Sequence, residues 1–147
     1  MIFIIAASII FLDQTTKFFA TKFLQVNTPV VFIKNFLNFT LVYNRGAAFG
    51  YFQNQLLLFI FISVFSIALI FYNLRDKKSS RIFKLSLSLV LGGAIGNLID
   101  RLRFGFVIDF LDFRVWPVFN LADSFITIGA LLLTWELLFK KDASRNL

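Results

Sequence analysis

The chain has 147 residues, 59% of them hydrophobic, with 22 phenylalanines and a formal net charge of +7. Soluble proteins run at about 45–50% apolar residues, so this is the composition of a membrane protein of one domain's length. The absence of cysteine and histidine excludes thiol nucleophiles, disulfides, Cys/His zinc sites and every catalytic pair built on histidine, and leaves any chemistry to Asp, Glu, Lys, Ser, Thr, Tyr, Asn or Arg.

Four stretches are long enough to cross about 30 Å of hydrocarbon as helices: residues 2–19, 55–74, 82–99 and 120–139. The first lacks a basic n-region and has no small-residue cleavage site behind it, so it is expected to be a retained span. Its "FLDQTTKFF" sets Asp13 and Lys17 at i and i+4, the favourable order for an intrahelical ion pair. The loop over residues 20–54 is too long for a connector and too apolar for disorder. In "NFLNFTLVYN" it alternates Phe39, Leu41 and Tyr43 with Asn38, Thr40 and Asn44, the period of a half-buried strand, which predicts a small sheet resting on the membrane's outer surface. "RGAAFG" ends the strand, because Gly46 and Gly50 permit tight backbone. Asn44 is placed either to cap that turn or to reach a site beside it.

After the second span, "RDKKSSRIFK" concentrates Arg75, Lys77, Lys78, Arg81 and Lys84, and the C-terminal tail adds Lys140, Lys141 and Arg145. Bases grouped at span ends, and not on one polar face, point to membrane orientation and not to nucleic acid. By the positive-inside rule this loop, the tail and both termini are cytoplasmic. The two remaining loops are then external, with Lys22, Lys34, Arg45, Arg101, Arg103 and Arg114 more thinly spread. The third span closes with "LGGAIGNLIDRLRFG", in which Gly92, Gly93 and Gly96 offer a face for close helix contact. Asn97, Asp100 and Arg101 at its boundary need partners: Asp100 and Arg101 as an interfacial ion pair, or Asn97 and Arg101 as ligands for substrate backbone or lipid ester oxygens with Asp100 holding them.

The acidic residues sort by depth. Asp76 and Asp142 sit among cytoplasmic bases as solvated charges, and Glu136 snorkels or pairs with Lys140. Asp13, Asp100, Asp109, Asp112 and Asp123 gather near the external side. Asp123, or Asn120 before it, suits the cap of the fourth helix. Asp109, in "FVIDF", has apolar neighbours and is costly to ionise alone. Asp112 is read as solvated or paired with Arg114. "RVWPVF", with Pro117 disfavouring helix at Trp116, predicts an extended turn along the interface that returns the chain to Asp123. Two aspartates sharing one proton have their pKa values pushed apart, so one serves as base toward water while the other donates to a carbonyl oxygen. That pair hydrolyses a peptide bond without metal, thiol, histidine or cofactor. A proton-relaying transporter would spread acids across the bilayer; a noncatalytic assembly factor would use them as caps and ion pairs.

"DQTTK", "NRGAAFG", "GNLIDR", "VIDF" and "FNLADS", in this order over residues 13–124, resemble the motifs of the bacterial lipoprotein signal peptidases, the type II signal peptidase family. The resemblance implies four transmembrane helices with a small periplasmic β-cradle, and an inner-membrane aspartyl peptidase that cuts diacylglyceryl-modified prolipoproteins just before the lipidated cysteine. By residue matching, Asp109 and Asp123 are similar to the catalytic dyad. Asn44, Gly46, Asn97, Arg101 and Asn120 match site-lining positions, and Asp13, Lys17, Asp100 and Ala122 match supporting ones. Asp100 competes with Asp109 as the partner of Asp123, but Arg101 beside it favours its ionised form, so Asp109 is preferred for a shared proton. The implied partners are the lipidated precursor and membrane lipids, with no nucleic acid, no metal and a monomeric enzyme.

Overall fold

A computed structural model describes residues 2–46, 54–75 and 79–143 of the chain, with side chains described up to residue 139. Gly50, Asp76, Lys77, Lys78 and Arg145, and the side chains of Lys140, Lys141 and Asp142, lie outside the described residues. Four helices and three strands follow in the order α1 (Ile2–Phe23), β1 (Val30–Ile33), β2 (Leu37–Asn44), α2 (Leu56–Leu74), α3 (Arg81–Phe104), β3 (Val107–Asp112) and α4 (Leu121–Ala143). The helices have 22, 19, 24 and 23 residues. At about 1.5 Å rise per residue each is long enough to cross a bilayer, and all four are sufficiently apolar to do so. Their cores agree with the expected spans, but α1 and α3 continue several residues past positions 19 and 99. The polar residues of the site therefore remain on helix.

α3 is the centre of the bundle, packing on α1, α2 and α4. Its glycines make this possible. A Cβ on Gly92 would stand 2.8 Å from the Ile9 Cβ, and one on Gly93 would stand 2.5 Å from the Ala122 carbonyl oxygen. Ser80 caps the start of α3 by accepting the Phe83 N–H. At the other end Gly105, with φ 78°, takes the left-handed conformation that side chains resist, and its N–H donates to the Arg101 carbonyl. This reversal turns the chain straight from α3 into β3.

The sheet is antiparallel with strand order β1-β2-β3. β3 was not foreseen: residues 107–112 were expected to be loop, whereas they pair with β2 and bring Asp109 opposite Val42. β2 is a strand as expected, but the buried side differs from a simple apolar-in pattern. Asn38 and Thr40 are buried, Phe39 is only half-buried and Tyr43 is exposed. The polar side of β2 carries the groups that bind β3 carboxylates, Thr40 to Asp112 and Asn44 to Asp109. Leu41, Ala20, Ile108 and Phe110 form a small core beneath the sheet, separate from the bundle core of Ala6, Ile70, Leu87 and Leu91.

Candidate active site

Three backbone devices bring Asp109 and Asp123 to one place. β3 carries Asp109 diagonally across from Asn44 of β2, whose Nδ2 donates to Asp109 Oδ2 at 2.9 Å. Asn44 also accepts the Gly46 N–H at 2.9 Å, so it performs both of the roles that its position left open. The Phe113–Phe119 segment turns back on itself, with Leu111 and Phe119 bonded across it, and delivers the start of α4 beside β3. There Asn120 and Asp123 form a reciprocal cap: Asn120 Oδ1 accepts the Asp123 N–H at 2.9 Å and Asp123 Oδ2 accepts the Asn120 N–H at 3.3 Å.

Asparagine amides join the two carboxylates. Asn120 Nδ2 donates to Asp109 Oδ1 at 2.7 Å and to Asn97 Oδ1 at 3.0 Å, and Asn97 Nδ2 donates to Asp123 Oδ1 at 2.7 Å. Asp109 and Asp123 both line one cavity of about 300 Å³, together with Asn44, Gly46, Asn97 and Arg101, and its outer wall includes Trp116 and Pro117. Arg101 is anchored by the Phe59 ring of α2, with its Cζ 5.2 Å from the ring centroid. Asp109 is 1% exposed. Burial, followed by the negative charge of Asp123, pushes its carboxyl up to about 7, against the lowering effects of the Asn44 and Asn120 amides and of Lys17.

Behind this cavity lies a buried ionic cluster. The Lys17 ammonium meets Asp13 Oδ2 at 2.8 Å, Asp100 Oδ2 at 2.9 Å and Asn97 Oδ1 at 2.9 Å. Asp13 Oδ1 accepts the Ala122 N–H at 2.9 Å and so ties α1 to the first turn of α4. Ala122 is fully buried there. Asp100 Oδ2 accepts the Ile108 N–H at 3.1 Å, tying α3 to β3. The expected Asp13–Lys17 pair is therefore present. The Asp100–Arg101 pair is replaced by Asp100–Lys17, because Arg101 faces the cavity while Asp100, on the adjacent helical face, points at α1. Asp100 does not hold Asn97 and Arg101 directly; it bonds Lys17, Gln14 and Ile108. Asp112 binds the Thr40 hydroxyl and the Arg114 backbone N–H, whereas the Arg114 guanidinium reaches Asn35.

Gln14 and Thr40 were missed. Gln14 Nε2 donates to Asp100 Oδ1 at 2.9 Å and to the Gly96 carbonyl at 3.2 Å. A polar amide inside an apolar span was the available signal, and for Thr40 the signal was its place on the polar side of β2. Gly96 is a matter of space, since a Cβ there would come within 2.6 Å of Asp13 Oδ2.

The profile of the family described as Signal peptidase (SPase) II matches residues 5–139. The lipoprotein signal peptidase of Caldanaerobacter subterraneus subsp. tengcongensis is 46% identical over 141 residues, covering 95% of this chain and 97% of that one. That of Halothermothrix orenii is 46% identical over 133 residues, with 90% and 92% covered. A solved bacterial membrane enzyme superposes with a TM-score of 0.91 at 32% identity, over 99% of this chain and 91% of its own. With the match spanning nearly the whole sequence and the same architecture in a solved relative, the chain belongs to the signal peptidase II family.

Proposed function

We propose that the whole chain works as one aspartyl endopeptidase that removes the signal peptide of diacylglyceryl-modified prolipoproteins by cutting on the N-terminal side of the lipidated cysteine. The observation that carries this reading is the shared cavity: Asp109 and Asp123, joined through Asn120 and Asn97, face the same space. In this mechanism Asp109 holds the proton at rest, its carboxyl being raised to about 7. Asp123 takes a proton from a water as the water oxygen attacks the scissile carbonyl carbon, and Asp109 gives its proton to the carbonyl oxygen. Asp123 then passes its proton to the nitrogen of the departing cysteine while Asp109 recovers one from the gem-diol, and the C–N bond breaks. Arg101, held over Phe59, and Asn44 offer donors to the substrate backbone or lipid ester oxygens.

The proposed location is the bacterial cytoplasmic membrane, multi-pass, with the site on the outer side, acting as a monomer among lipids. The site lies at the end of the bundle holding Lys17, Arg101 and the start of α4. Arg75, Arg81 and Lys84 lie at the opposite end of α2 and α3, as cytoplasmic bases do. Acyl chains of the substrate fix its depth, so the scissile bond arrives where the aspartates are.

Separate Asp109→Asn and Asp123→Asn variants test the reading. Each is expected to insert and fold yet to leave a lipidated precursor uncut in detergent. Normal cleavage by either variant would refute the dyad.

A further inference from the structure

Asn97 presents a problem that its own chemistry does not solve. An amide is nearly symmetric in shape, so rotating it half a turn exchanges Nδ2 and Oδ1 at almost no steric cost. In the structure Nδ2 faces Asp123 Oδ1 at 2.7 Å, while Oδ1 faces Lys17 Nζ at 2.9 Å and Asn120 Nδ2 at 3.0 Å. The rotated form would set an NH2 against an ammonium and another NH2, and an oxygen against a carboxylate. Asn120 opposes the rotation with a neutral donor, and Lys17 opposes it with a full charge in a site where neither is exposed.

Lys17 is suited to this task because nothing else can turn it. Its three protons meet three acceptors: Asp13 Oδ2, Asp100 Oδ2 and Asn97 Oδ1. Two of these belong to α3 and one to its own helix, and Asp13 is itself fixed by the Ala122 N–H of α4. The ammonium is therefore a rigid reference point behind the cavity, and its hydrogen-bonded link to Asp123 runs through the Asn97 amide.

Building on the peptidase reading above, we infer that Lys17 is a positioning residue that fixes the Asn97 amide with Nδ2 turned to Asp123, so that Asp123 Oδ1 is occupied at 2.7 Å and Oδ2, which accepts the longer 3.3 Å bond from the Asn120 N–H, keeps a lone pair for the water. The titratable and charged groups around it are Asp13 on α1, Tyr43 on β2, Asp100, Arg101 and Arg103 on α3, Asp109 on β3 and Asp123 on α4. Of these, only Asp13 and Asp100 form salt bridges with it among the described residues.

A second cavity makes this testable. Lys17, Asp100 and Gln14 also line a space of about 270 Å³ on the far side of the cluster, walled by Tyr43, Phe104 and Phe106. Strand alternation sets the two cavities back to back: Val107 and Asp109 face the first, and Phe106 and Ile108 face the second. Shortening Lys17 to alanine extends the second cavity to the place of the ammonium, where a small amine can enter.

The experiment measures cleavage of a lipidated precursor by Lys17→Ala in detergent, with and without n-propylammonium. Tetramethylammonium at equal ionic strength is the control. The expected result is a kcat reduced at least about tenfold with KM within about twofold, since small misplacements at a reacting centre cost up to about 10²-fold. Propylammonium is expected to restore kcat saturably, and tetramethylammonium to leave it unchanged. Lys17→Met, which leaves no space, is expected to be equally slow and not restored. In an Asn97→Ala background Lys17→Ala is expected to change kcat by less than about twofold, because the two residues act in series. Should Lys17→Ala not fold, the neutral combination Lys17→Met, Asp13→Asn and Asp100→Asn removes the uncompensated carboxylates, and its kcat is expected to stay low. Full kcat in a folded variant lacking Lys17, losses that multiply in the double variant, or an amine that raises only the melting temperature would each overturn the inference. Failure of the unmodified enzyme to cut the precursor would instead refute the peptidase reading.

Discussion

Replacing Asp109 with asparagine is expected to stabilise the protein at alkaline pH while destroying its activity, and the sign reverses in acid. The Asp109 carboxyl ordinarily titrates at 3.8 and is raised to about 7 in the folded protein by burial and by Asp123. Below the ordinary value both folded and unfolded chains hold the proton. As the pH rises toward 7 the unfolded chain releases it and the folded chain does not, so the stability present in acid is lost through this window and is gone above it. At about 1.4 kcal/mol per pH unit the loss amounts to roughly 4 kcal/mol. Asparagine does not titrate, so Asp109→Asn avoids this loss. It pays a different cost, because Asn44 Nδ2 and Asn120 Nδ2 both donate to Asp109 and the substituted side chain has only one oxygen. One donor is left unmatched, at about 1–3 kcal/mol. The variant should therefore be less stable than the unmodified chain near pH 4 and more stable, by about 1–3 kcal/mol, at pH 8. Unfolding by SDS titration in mixed micelles across that range measures the difference. A difference independent of pH, or a variant less stable throughout, would refute the reasoning.

The rate of precursor cleavage is expected to decline as pH passes above about 7, because Asp109 then lacks the proton that the proposed mechanism gives to the carbonyl oxygen; a pH profile of kcat on a lipidated precursor checks this. Gly96→Ala places a methyl group 2.6 Å from Asp13 Oδ2, pushing that carboxylate off Lys17, and should cost about 3 kcal/mol of stability in the same SDS titration. An unlipidated precursor is expected to be cut at least about tenfold more slowly than the lipidated form in one detergent assay, since in the proposed mechanism acyl anchoring supplies the positioning.

The helices were legible because each carries a long, predominantly apolar run, and recognising such a run requires no knowledge of its neighbours. The site was legible as a set of residues but not as a set of contacts. Asp100 stands next to Arg101 in the chain, yet the 100° step of a helix sends the two side chains in different directions, and the cation that meets Asp100 lies 83 positions earlier. Asp109 looked isolated because its sequence neighbours are apolar, whereas its spatial neighbours are the amides of Asn44 and Asn120. β3 was hidden for a related reason. Its burial pattern is continuous over Val107–Phe110, so it lacks the alternation by which β2 was recognised.

The hydrogen bond from the Ala122 backbone to Asp13 joins positions 109 residues apart, and this fixes when the enzyme can exist. A nascent chain that has inserted its first three helices holds Lys17, Asp13 and Asp100, but neither Asn120 nor Asp123 has yet left the ribosome. On the proposed dyad, the cavity is therefore completed only when the last helix enters and brings Asn120 and Asp123 to Asp109.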